Sequence, residues 1–288
     1  MSGALHSLTT VIFPADCRVC GLPLSGFSLL PVCNSCWNDL PAQSGVLCAR
    51  CGEAIQALPG LDPGPCRLCR AAPPPFEKAV AYGIYAGKLR ALVHLLKYDG
   101  MEPLARRLGA LAGRQALAIG DLPDHLVIVP VPLWAAKGRQ RGFNQAERLA
   151  CGAMAEMRRQ RPVMRMQLAA DALERRRATE SQAGLSPHQR RVNVRGAFFV
   201  SRPAAIDGRD VLLIDDIYTT GATARACTRA LRSAGAGRVW VATVARAQRE
   251  DATVLRDAAD STAETVAQNA HPADLPMEED VAFWEDGR

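Results

Sequence analysis

The sequence contains no apolar run that approaches the 18 or so residues of a membrane-spanning helix. Residues 1–14 contain no basic segment and only a short apolar stretch, so we expect no signal peptide. These two absences predict a cytoplasmic protein with no membrane span. In a reducing cytoplasm, the ten cysteines favour metal binding over disulfide formation.

Lysine and aromatic residues are also scarce. Only four of the 35 basic residues are lysine, and aromatic residues make up 5% of the chain. The chain has 29 acidic and 35 basic residues. Residues 250–288 contain eleven of the acidic residues and two of the basic residues, so residues 1–249 contain 18 acidic and 33 basic residues. The body therefore has a net charge of +15 and the tail one of −9. A basic body predicts polyanionic ligands such as nucleotides or nucleic acid.

Two common nucleotide-binding motifs are missing. The only Gly-Lys pair, Gly87-Lys88, is followed by Leu89 rather than by Ser or Thr, which excludes a Walker loop. The sequence contains no G-x-G-x-x-G either, so the dinucleotide-binding fingerprint is excluded.

Four C-x-x-C pairs occupy the first 72 residues, and 12, 11 and 14 residues separate them. Four pairs at this spacing predict two tetrahedral zinc sites with four thiolates each, and such closed sites are structural. Sequential pairing and cross-braced pairing are both compatible with the spacing, and we favour sequential pairing because each half repeats the same plan. The predicted ligands are Cys17, Cys20, Cys33, Cys36, Cys48, Cys51, Cys66 and Cys69.

A second motif spans residues 211–223. The apolar run Val211–Ile214 predicts a buried strand, Asp215 and Asp216 follow it, and a helix is predicted over Ala222–Ala234. Between them lies a polar turn of Thr219, Thr220 and Gly221. A helix N-terminus with nearby hydroxyl groups attracts phosphate, and adjacent carboxylates accept hydrogen bonds from sugar hydroxyls. The order of these groups therefore predicts a ribose 5-phosphate site.

This stretch resembles the phosphoribosyl pyrophosphate (PRPP) loop of the type I phosphoribosyltransferases. The resemblance implies that Asp215 and Asp216 hold the ribose hydroxyls and stabilise a cationic ring during transfer. It assigns the 5-phosphate to the turn and the first residues of the helix: Thr219, Thr220, Gly221, Ala222 and Thr223.

Other segments predict the remaining elements of an α/β domain. We expect a strand or hairpin over Phe76–Gly87, helices over Lys88–Tyr98 and Glu102–Ala118, and a buried strand over Leu126–Val131. Lys137, Arg139 and Arg141 then precede a helix that begins at Gly142-Phe-Asn-Gln145, which predicts a second anion-binding turn. The polar, Arg-rich segment Ala172–Arg195 precedes two further predicted strands, Phe198–Val200 and Val239–Val244.

The order of the motifs resembles the ComF/GntX family, whose competence members help bacteria to handle imported DNA. The tandem C-x-x-C pairs and the PRPP-like loop carry the resemblance together with the following segments: Leu96-Lys-Tyr-Asp-Gly100, Val129-Pro-Val-Pro132, Arg141-Gly-Phe-Asn-Gln145, Thr179-x-x-Gln182 and Asn193-Val-Arg-Gly-Ala-Phe198. It implies a type I phosphoribosyltransferase fold, a mostly parallel twisted sheet flanked by helices, after a small zinc-binding module. The resemblance covers residues 1–248.

The family also implies the remainder of the site. Val131, Arg139 and Arg141 would face the pyrophosphate with Mg²⁺, and Gln182 and Arg195 would close over the site as a lid. Three regions are expected: a zinc module (1–72), a transferase domain (73–249) and an acidic, largely disordered tail (250–288).

Two functions remain open at this point. The first is a phosphoribosyltransferase whose acceptor the sequence does not identify, acting in DNA uptake. The second is a catalytically silent PRPP sensor or scaffold for DNA or for competence and recombination proteins. Candidate contacts for single-stranded DNA are Arg175–Arg177, Arg190, Arg191 and the turn Lys137–Arg141. Few aromatic residues lie beside them, which argues against stacking on the bases. Binding is therefore expected to be weak and, because it depends on neutralising phosphates, salt-sensitive.

Overall fold

The computed structural model describes residues 16–24, 30–55, 64–134, 138–139, 141–177, 189 and 192–248. The predicted tail (250–288) lies outside these residues, as do Lys137, Thr179, Gln182, Ser186, Pro187, Arg190 and Arg191.

A parallel five-stranded sheet forms the centre of the described chain. In chain order, the strands are β1 (Ala79–Ile84), β2 (His125–Pro130), β3 (Arg165–Leu168), β4 (Leu173–Arg175), β5 (Phe198–Val200), β6 (Val211–Tyr218) and β7 (Val239–Arg246). The sheet has the order β1-β7-β6-β2-β3, and all its pairs are parallel. Strands β4 and β5 form a separate antiparallel pair. The predicted fold class is confirmed.

Helices cover both faces of the sheet. They are α1 (Asn34–Asn38), α2 (Arg67–Ala71), α3 (Gly87–Tyr98), α4 (Pro103–Leu117), α5 (Gln145–Gln160) and α6 (Ala222–Ser233). Successive side chains of a strand point to opposite faces. Accordingly, Leu212 and Ile214 of β6 join one core, whereas Val211 and Leu213 join the other. Among the described residues, each helix is too short or too polar to cross a membrane.

The first core contains the buried side chains of α3, α4 and most of α5. Here Gly109 of α4 approaches α5 so closely that a Cβ at Gly109 would lie 2.2 Å from the Leu149 carbonyl oxygen. The second core contains α6 and residues of the β4–β5 pair. The two cores therefore lie on opposite faces of the sheet.

The strands differ from the predictions most at β6, β3 and β4, while β2 is shifted by one residue and β7 extends two residues beyond the predicted Val244. Strand β6 was expected to end at Ile214, but it continues to Tyr218 because β7 runs beside it as far as Arg246. The acidic pair therefore lies within the strand, with Asp215 opposite Thr243 of β7. Strands β3 and β4 were not predicted, because they are only four and three residues long and at least half of their side chains are polar.

The cysteine segment packs onto the same two cores as the sheet. Cys17, Cys36 and Trp37 belong to the first core, and Cys48, Cys51 and Cys69 belong to the second. The connection between the two cysteine groups also pairs with the edge strand β1. Gln43 N donates to Tyr82 O at 2.9 Å, and Ile84 N donates to Pro41 O at 2.8 Å.

Candidate functional site

The turn between β6 and α6 lies at the carboxyl edge of the parallel sheet, where ligands of open α/β sheets bind. Gly221 is the N-cap of α6 and has a φ of 73°, a left-handed conformation that favours glycine. It also has no room for a side chain, because a Cβ there would lie 2.1 Å from the Tyr218 hydroxyl oxygen. Gly221 therefore allows the chain to turn from the strand directly into the helix.

The acidic pair is held within this edge by its own backbone. Asp216 N donates to Asp215 Oδ1 at 2.9 Å. Burial of the Asp215 carboxyl, reinforced by the neighbouring Asp216, raises the pKa of Asp215 to about 7. The structure thus concentrates two carboxyl groups in a region of low solvent access next to the turn.

Lys97 of α3 is the ion-pair partner of Asp216. Its Nζ lies 2.9 Å from Asp216 Oδ2, and both side chains are only 16% exposed. Burial opposes the charged form of Lys97, but Asp216 and then Asp215 keep its pKa above the ordinary value. The sequence placed Lys97 only in the helix predicted over Lys88–Tyr98 and in the segment Leu96-Lys-Tyr-Asp-Gly100, and the structure brings it to the acidic pair.

Arg175, the last residue of β4, is a second cation near the pair. Burial lowers the pKa of its guanidinium, while Cys227 and Asp215 act in the opposite direction. From the sequence, Arg175 was expected only as a candidate DNA contact. Lys97 lies 119 residues before Asp216 in the chain, and Arg175 lies 40 residues before Asp215. No local pattern therefore connects either cation to the acidic pair. The signal for Lys97 was its place in the Leu96-Lys-Tyr-Asp-Gly100 segment.

The hydroxyl-bearing turn also contains a buried polar atom. Thr220 Oγ1 is buried and has no hydrogen-bond partner among the described residues. A buried hydroxyl group without a partner is costly, and a bound ligand can satisfy it. Thr219 and Thr223 are half-buried beside it, and Ala222 is buried at the first position of the helix.

The second predicted turn follows β2 in the structure. Val131 N donates to Ile214 O at 2.9 Å, which joins this turn to β6. Asn144 caps α5 by accepting from Ala146 N at 3.1 Å, and its Nδ2 donates to Val131 O at 3.2 Å. Arg141 lies with its guanidinium carbon 5.3 Å from the centre of the Tyr98 ring, and Arg139 is exposed.

The segment around Arg195 is held by a side chain of the preceding loop. Arg177 Nη2 donates to the carbonyl oxygens of Asn193 at 2.8 Å and Arg195 at 3.0 Å. These hydrogen bonds connect Arg177, which precedes the segment that contains Gln182, with residues that follow it. The side chain of Arg195 itself is exposed. Gln182 lies outside the described residues, so its predicted lid role stays a prediction.

A cavity of about 740 Å³ lies at the opposite edge of the sheet, near His125, Arg165 and Arg209. These residues mark the amino ends of β2, β3 and β6, away from the acidic pair. The cavity is therefore separate from the site at the carboxyl edge.

The eight predicted cysteine ligands form two groups with sequential pairing. The first group is Cys17, Cys20, Cys33 and Cys36, the second is Cys48, Cys51, Cys66 and Cys69, and within each group all four sulfur atoms lie within 4.8 Å of one another. All eight are free thiols. We call the two groups the first cluster and the second cluster.

The sulfur spacing fits a tetrahedral metal site. A tetrahedron with metal–sulfur bonds of about 2.3 Å has sulfur–sulfur edges of about 3.8 Å. The observed Sγ–Sγ distances are 3.8 Å for Cys17–Cys36, 3.7 Å for Cys20–Cys33 and 3.8 Å for Cys51–Cys66. Both clusters could therefore hold a metal ion.

Backbone amides already favour a thiolate in each cluster. Burial opposes ionisation of Cys17, but N–H groups, chiefly that of Cys33, lower its pKa to about 6. Cys48 is affected in the same way, and its pKa falls to about 7. Burial and the neighbouring sulfurs raise the pKa of Cys36 and of Cys69. A bound cation would remove this repulsion and allow all four thiols to ionise.

The comparisons with known proteins agree with this architecture. Residues 163–279 match the family described as "Phosphoribosyl transferase domain". "DNA utilization protein YhgH" of Escherichia coli (strain K12) is 32% identical over 234 residues, which cover 79% of this chain and 95% of the relative. The chain belongs to the ComF family.

Two more distant relatives carry competence names. "Competence protein F" of Haemophilus influenzae is 29% identical over 220 residues, 75% of this chain and 90% of the relative. "Competence protein ComFC" of Bacillus subtilis is 25% identical over 214 residues, 71% of this chain and 79% of the relative. The ComF resemblance predicted from the motifs is thus confirmed.

Proposed function

We propose that the site at the β6–α6 turn binds PRPP. The supporting observation is the proximity of two groups that this molecule needs: the acidic pair for the vicinal ribose hydroxyls, and the N-terminus of α6 for the 5-phosphate. Thr220 Oγ1, which is buried without a partner among the described residues, would donate a hydrogen bond to the phosphate. Thr219, Gly221, Ala222 and Thr223 complete this half of the site.

In this proposal, the protein is a phosphoribosyltransferase with an unidentified acceptor. The bond between the anomeric carbon and pyrophosphate breaks, and the acceptor forms a new bond to that carbon. Positive charge develops on the ribose ring, and ionised Asp215 and Asp216 would stabilise it electrostatically. Lys97 orients Asp216 through their 2.9 Å ion pair.

Val131, Arg139 and Arg141 are proposed to face the pyrophosphate group. Their turn is fixed to β6 through the hydrogen bond of Val131 N to Ile214 O, so it lies at the same edge of the sheet as the acidic pair. Carboxylate oxygens are ligands that Mg²⁺ accepts, so the acidic pair fits a substrate that arrives as its Mg²⁺ complex. That ion would neutralise charge on the leaving pyrophosphate. Gln182 and Arg195 remain the proposed lid.

The two clusters are proposed to bind one zinc ion each. Closed sites of four thiolates leave no open position for a substrate, so zinc would have a structural role. We keep the proposed regions at residues 1–72 for the zinc module, 73–249 for the transferase domain and 250–288 for the acidic tail.

The names of the relatives, which refer to DNA utilization and to competence, support a proposed role in DNA uptake and natural transformation. The cytoplasm is the proposed location of this role. The basic body, with a net charge of +15 over residues 1–249, suits weak binding of single-stranded DNA through its phosphates. Competence or recombination proteins are further proposed partners. A gel-shift titration at two salt concentrations tests DNA binding: deletion of residues 250–288 should tighten it at low salt. If neither chain shifts DNA at low salt, the DNA role is indirect.

A catalytically silent PRPP sensor or scaffold is the second candidate. The ion pair of Lys97 with Asp216 favours it, because the ammonium group occupies Asp216 Oδ2 and offsets the negative charge that would stabilise a cationic ring. Pyrophosphate release from PRPP across a panel of bases, amines and nucleotides distinguishes the two candidates. Binding of PRPP without turnover for any acceptor would favour the sensor.

Calorimetry with MgPRPP tests the site itself. Replacing both acids, Asp215→Asn and Asp216→Asn, keeps the side-chain size and removes the charge, so we expect binding to weaken strongly and any turnover to stop. Asp171→Asn is the control, since it removes an exposed carboxylate that pairs with Arg202 and has no role in the proposed site. Unchanged affinity in the double variant would overturn the assignment of the acidic pair to the sugar.

A further inference from the structure

Arg246, the last residue of β7, is a buried cation that the proposed function does not use. Only 3% of the residue is exposed. Its guanidinium donates to the Cys51 carbonyl oxygen and to the Glu53 carboxylate, and Nη2 lies 3.6 Å from Cys51 Sγ. A buried cation requires such partners, because an unpaired charge in the interior is unstable. Arg246 thus fixes the backbone and one ligand of the second cluster to the end of the sheet.

The same guanidinium supports the ring of Tyr218. Its Cζ atom lies 4.3 Å from the ring centre, and Phe76 meets the ring edge to face at 6.3 Å between centres. The hydroxyl of Tyr218 lies directly beneath Gly221, as the 2.1 Å approach of a Cβ at that position shows. The Tyr218 hydroxyl therefore packs against the proposed phosphate turn at Gly221, and the Tyr218 ring packs against the guanidinium of Arg246.

A second connection joins the second cluster to the first turn of α6. Arg225 donates to Ala72 O at 2.7 Å and to Pro73 O at 3.0 Å. These carbonyl groups follow α2, the short helix that contains Cys69. Two connections thus join the turn to the second cluster. One runs through Tyr218 and Arg246 to Cys51, and the other runs through Arg225 to the residues that follow Cys69.

The first cluster makes contacts of another kind. Its neighbours are in the core of α3, α4 and α5, and its segment is linked to those helices by Arg107 over the Trp37 ring and by the Lys88–Asp39 ion pair. Arg18 of the same segment also pairs with Asp99, the residue after α3, at 3.2 Å. Each of these contacts is to α3, to α4 or to the residue after α3, and none of them is to the β6–α6 turn. The two clusters therefore provide a matched comparison within one chain.

We propose that Arg246 and Tyr218 are positioning residues that couple the second cluster to the phosphate turn, so that a divalent metal held there preorganises the turn for the 5-phosphate of PRPP. This inference rests on the proposed function. Its physical basis is that a site ordered before binding loses less conformational entropy when the ligand arrives. Metal at the first cluster stabilises the other face of the sheet and leaves the turn unchanged.

The test compares Cys51→Ser with Cys20→Ser in the full chain. Metal content by atomic emission should fall by one ion in each variant relative to the wild type. We expect Cys51→Ser to weaken MgPRPP binding by at least about tenfold, and Cys20→Ser to keep it within about twofold. Equal losses in the two variants, or wild-type affinity in Cys51→Ser, would overturn the proposal.

Arg246→Met tests the connection with all eight thiols in place. It should keep the full metal content, weaken PRPP binding, and add little to the loss in a Cys51→Ser background, because both changes break the same connection. Additive losses would contradict it. If Arg246→Met fails to fold, Tyr218→Phe takes its place, since it removes only the hydroxyl beneath Gly221 and keeps the ring.

Hydrogen exchange separates this inference from the proposed function. Amides of residues 219–224 should exchange faster in Cys51→Ser than in Cys20→Ser, whether or not PRPP is present. If the wild type does not bind PRPP, the proposed function fails while this readout still decides the coupling. Identical exchange at the turn in the two variants would overturn the coupling.

Discussion

The two cysteine clusters have the same ligands and nearly the same sulfur spacing, but they lie against opposite faces of one sheet. The first cluster packs with α3, α4 and α5, and the second packs with α6 and Tyr218. Two metal sites with the same ligands can therefore stabilise different parts of the protein, depending on the face of the sheet against which each cluster packs. The first face contains the tightly packed helix pair α4 and α5, whereas the second contains the proposed phosphate turn.

The largest expected effect comes from removing one aromatic side chain on each face. Trp37 is 8% exposed and Phe76 is fully buried, and truncation of such residues to Ala costs about 3–5 kcal/mol of unfolding free energy. We expect both variants to show comparable shifts in denaturation midpoint. Only Phe76→Ala should also weaken PRPP binding, because Phe76 supports Tyr218. A comparable loss of affinity in Trp37→Ala would remove the distinction between the faces.

A smaller effect is expected from the glycines that follow the second cysteine of equivalent C-x-x-C pairs. Gly21 and Gly52 have φ values of 73° and 69°, so an Ala at either position costs about 1–2 kcal/mol. At Gly52 the new Cβ would also lie 2.9 Å from Ala79 O, while at Gly21 no atom of the described residues other than its chain neighbours lies within 4 Å. Gly52→Ala should therefore destabilise the chain more than Gly21→Ala does. Thermal unfolding measures both, and equal losses would contradict the close contact to β1.

The smallest expected effect is a pH dependence confined to the second face. The pKa of Asp215 is raised from 3.8 to about 7, so its proton stabilises the unliganded fold below pH 3.8, and this contribution is lost as the pH rises through 7. The affinity for PRPP should change in the opposite direction and increase with pH, because binding needs the ionised Asp215 carboxylate. Affinity should rise roughly tenfold between pH 6 and 8.

Calorimetry across this range provides the measurement, with two controls. Asp215→Asn should reduce the slope to the part that comes from the phosphate of the ligand itself, which titrates near pH 6. Trp37→Ala on the first face should keep the wild-type slope. An unchanged slope in Asp215→Asn would show that another group titrates.

Local patterns in the sequence were sufficient for most of the sheet and for the grouping of the cysteines. The apolar run Val211–Ile214 and the helix after Gly221 are properties of contiguous residues, and both are present in the structure. The C-x-x-C spacing predicted two groups of four, and the preferred sequential pairing matches the observed clusters. Strands β3 and β4 are too short, and too rich in polar side chains, to be predicted from their own residues.

Contacts between distant segments account for what sequence patterns did not predict. Lys97 meets Asp216 because α3 crosses the carboxyl edge of the sheet, and Arg246 meets Cys51 from 195 residues away. A C-x-x-C motif predicts the ligands of a metal but not the face of the protein against which they pack. In this chain that packing decides which cluster can influence the turn.

The pairing of residues 41–43 with β1 has a consequence for the behaviour of the protein in concentrated solution. Strand β1 is one of the two outer strands of the described sheet, and Pro41 approaches it so closely that a Cβ at Gly83 would lie 2.2 Å from Pro41 O. An outer strand with unpaired backbone groups is a template for edge-to-edge aggregation. The segment that covers it lies between the two clusters and is anchored at both ends by cysteine groups. Metal depletion should thus release this segment, expose the unpaired backbone N–H and C=O groups of β1, and promote self-association of the chain.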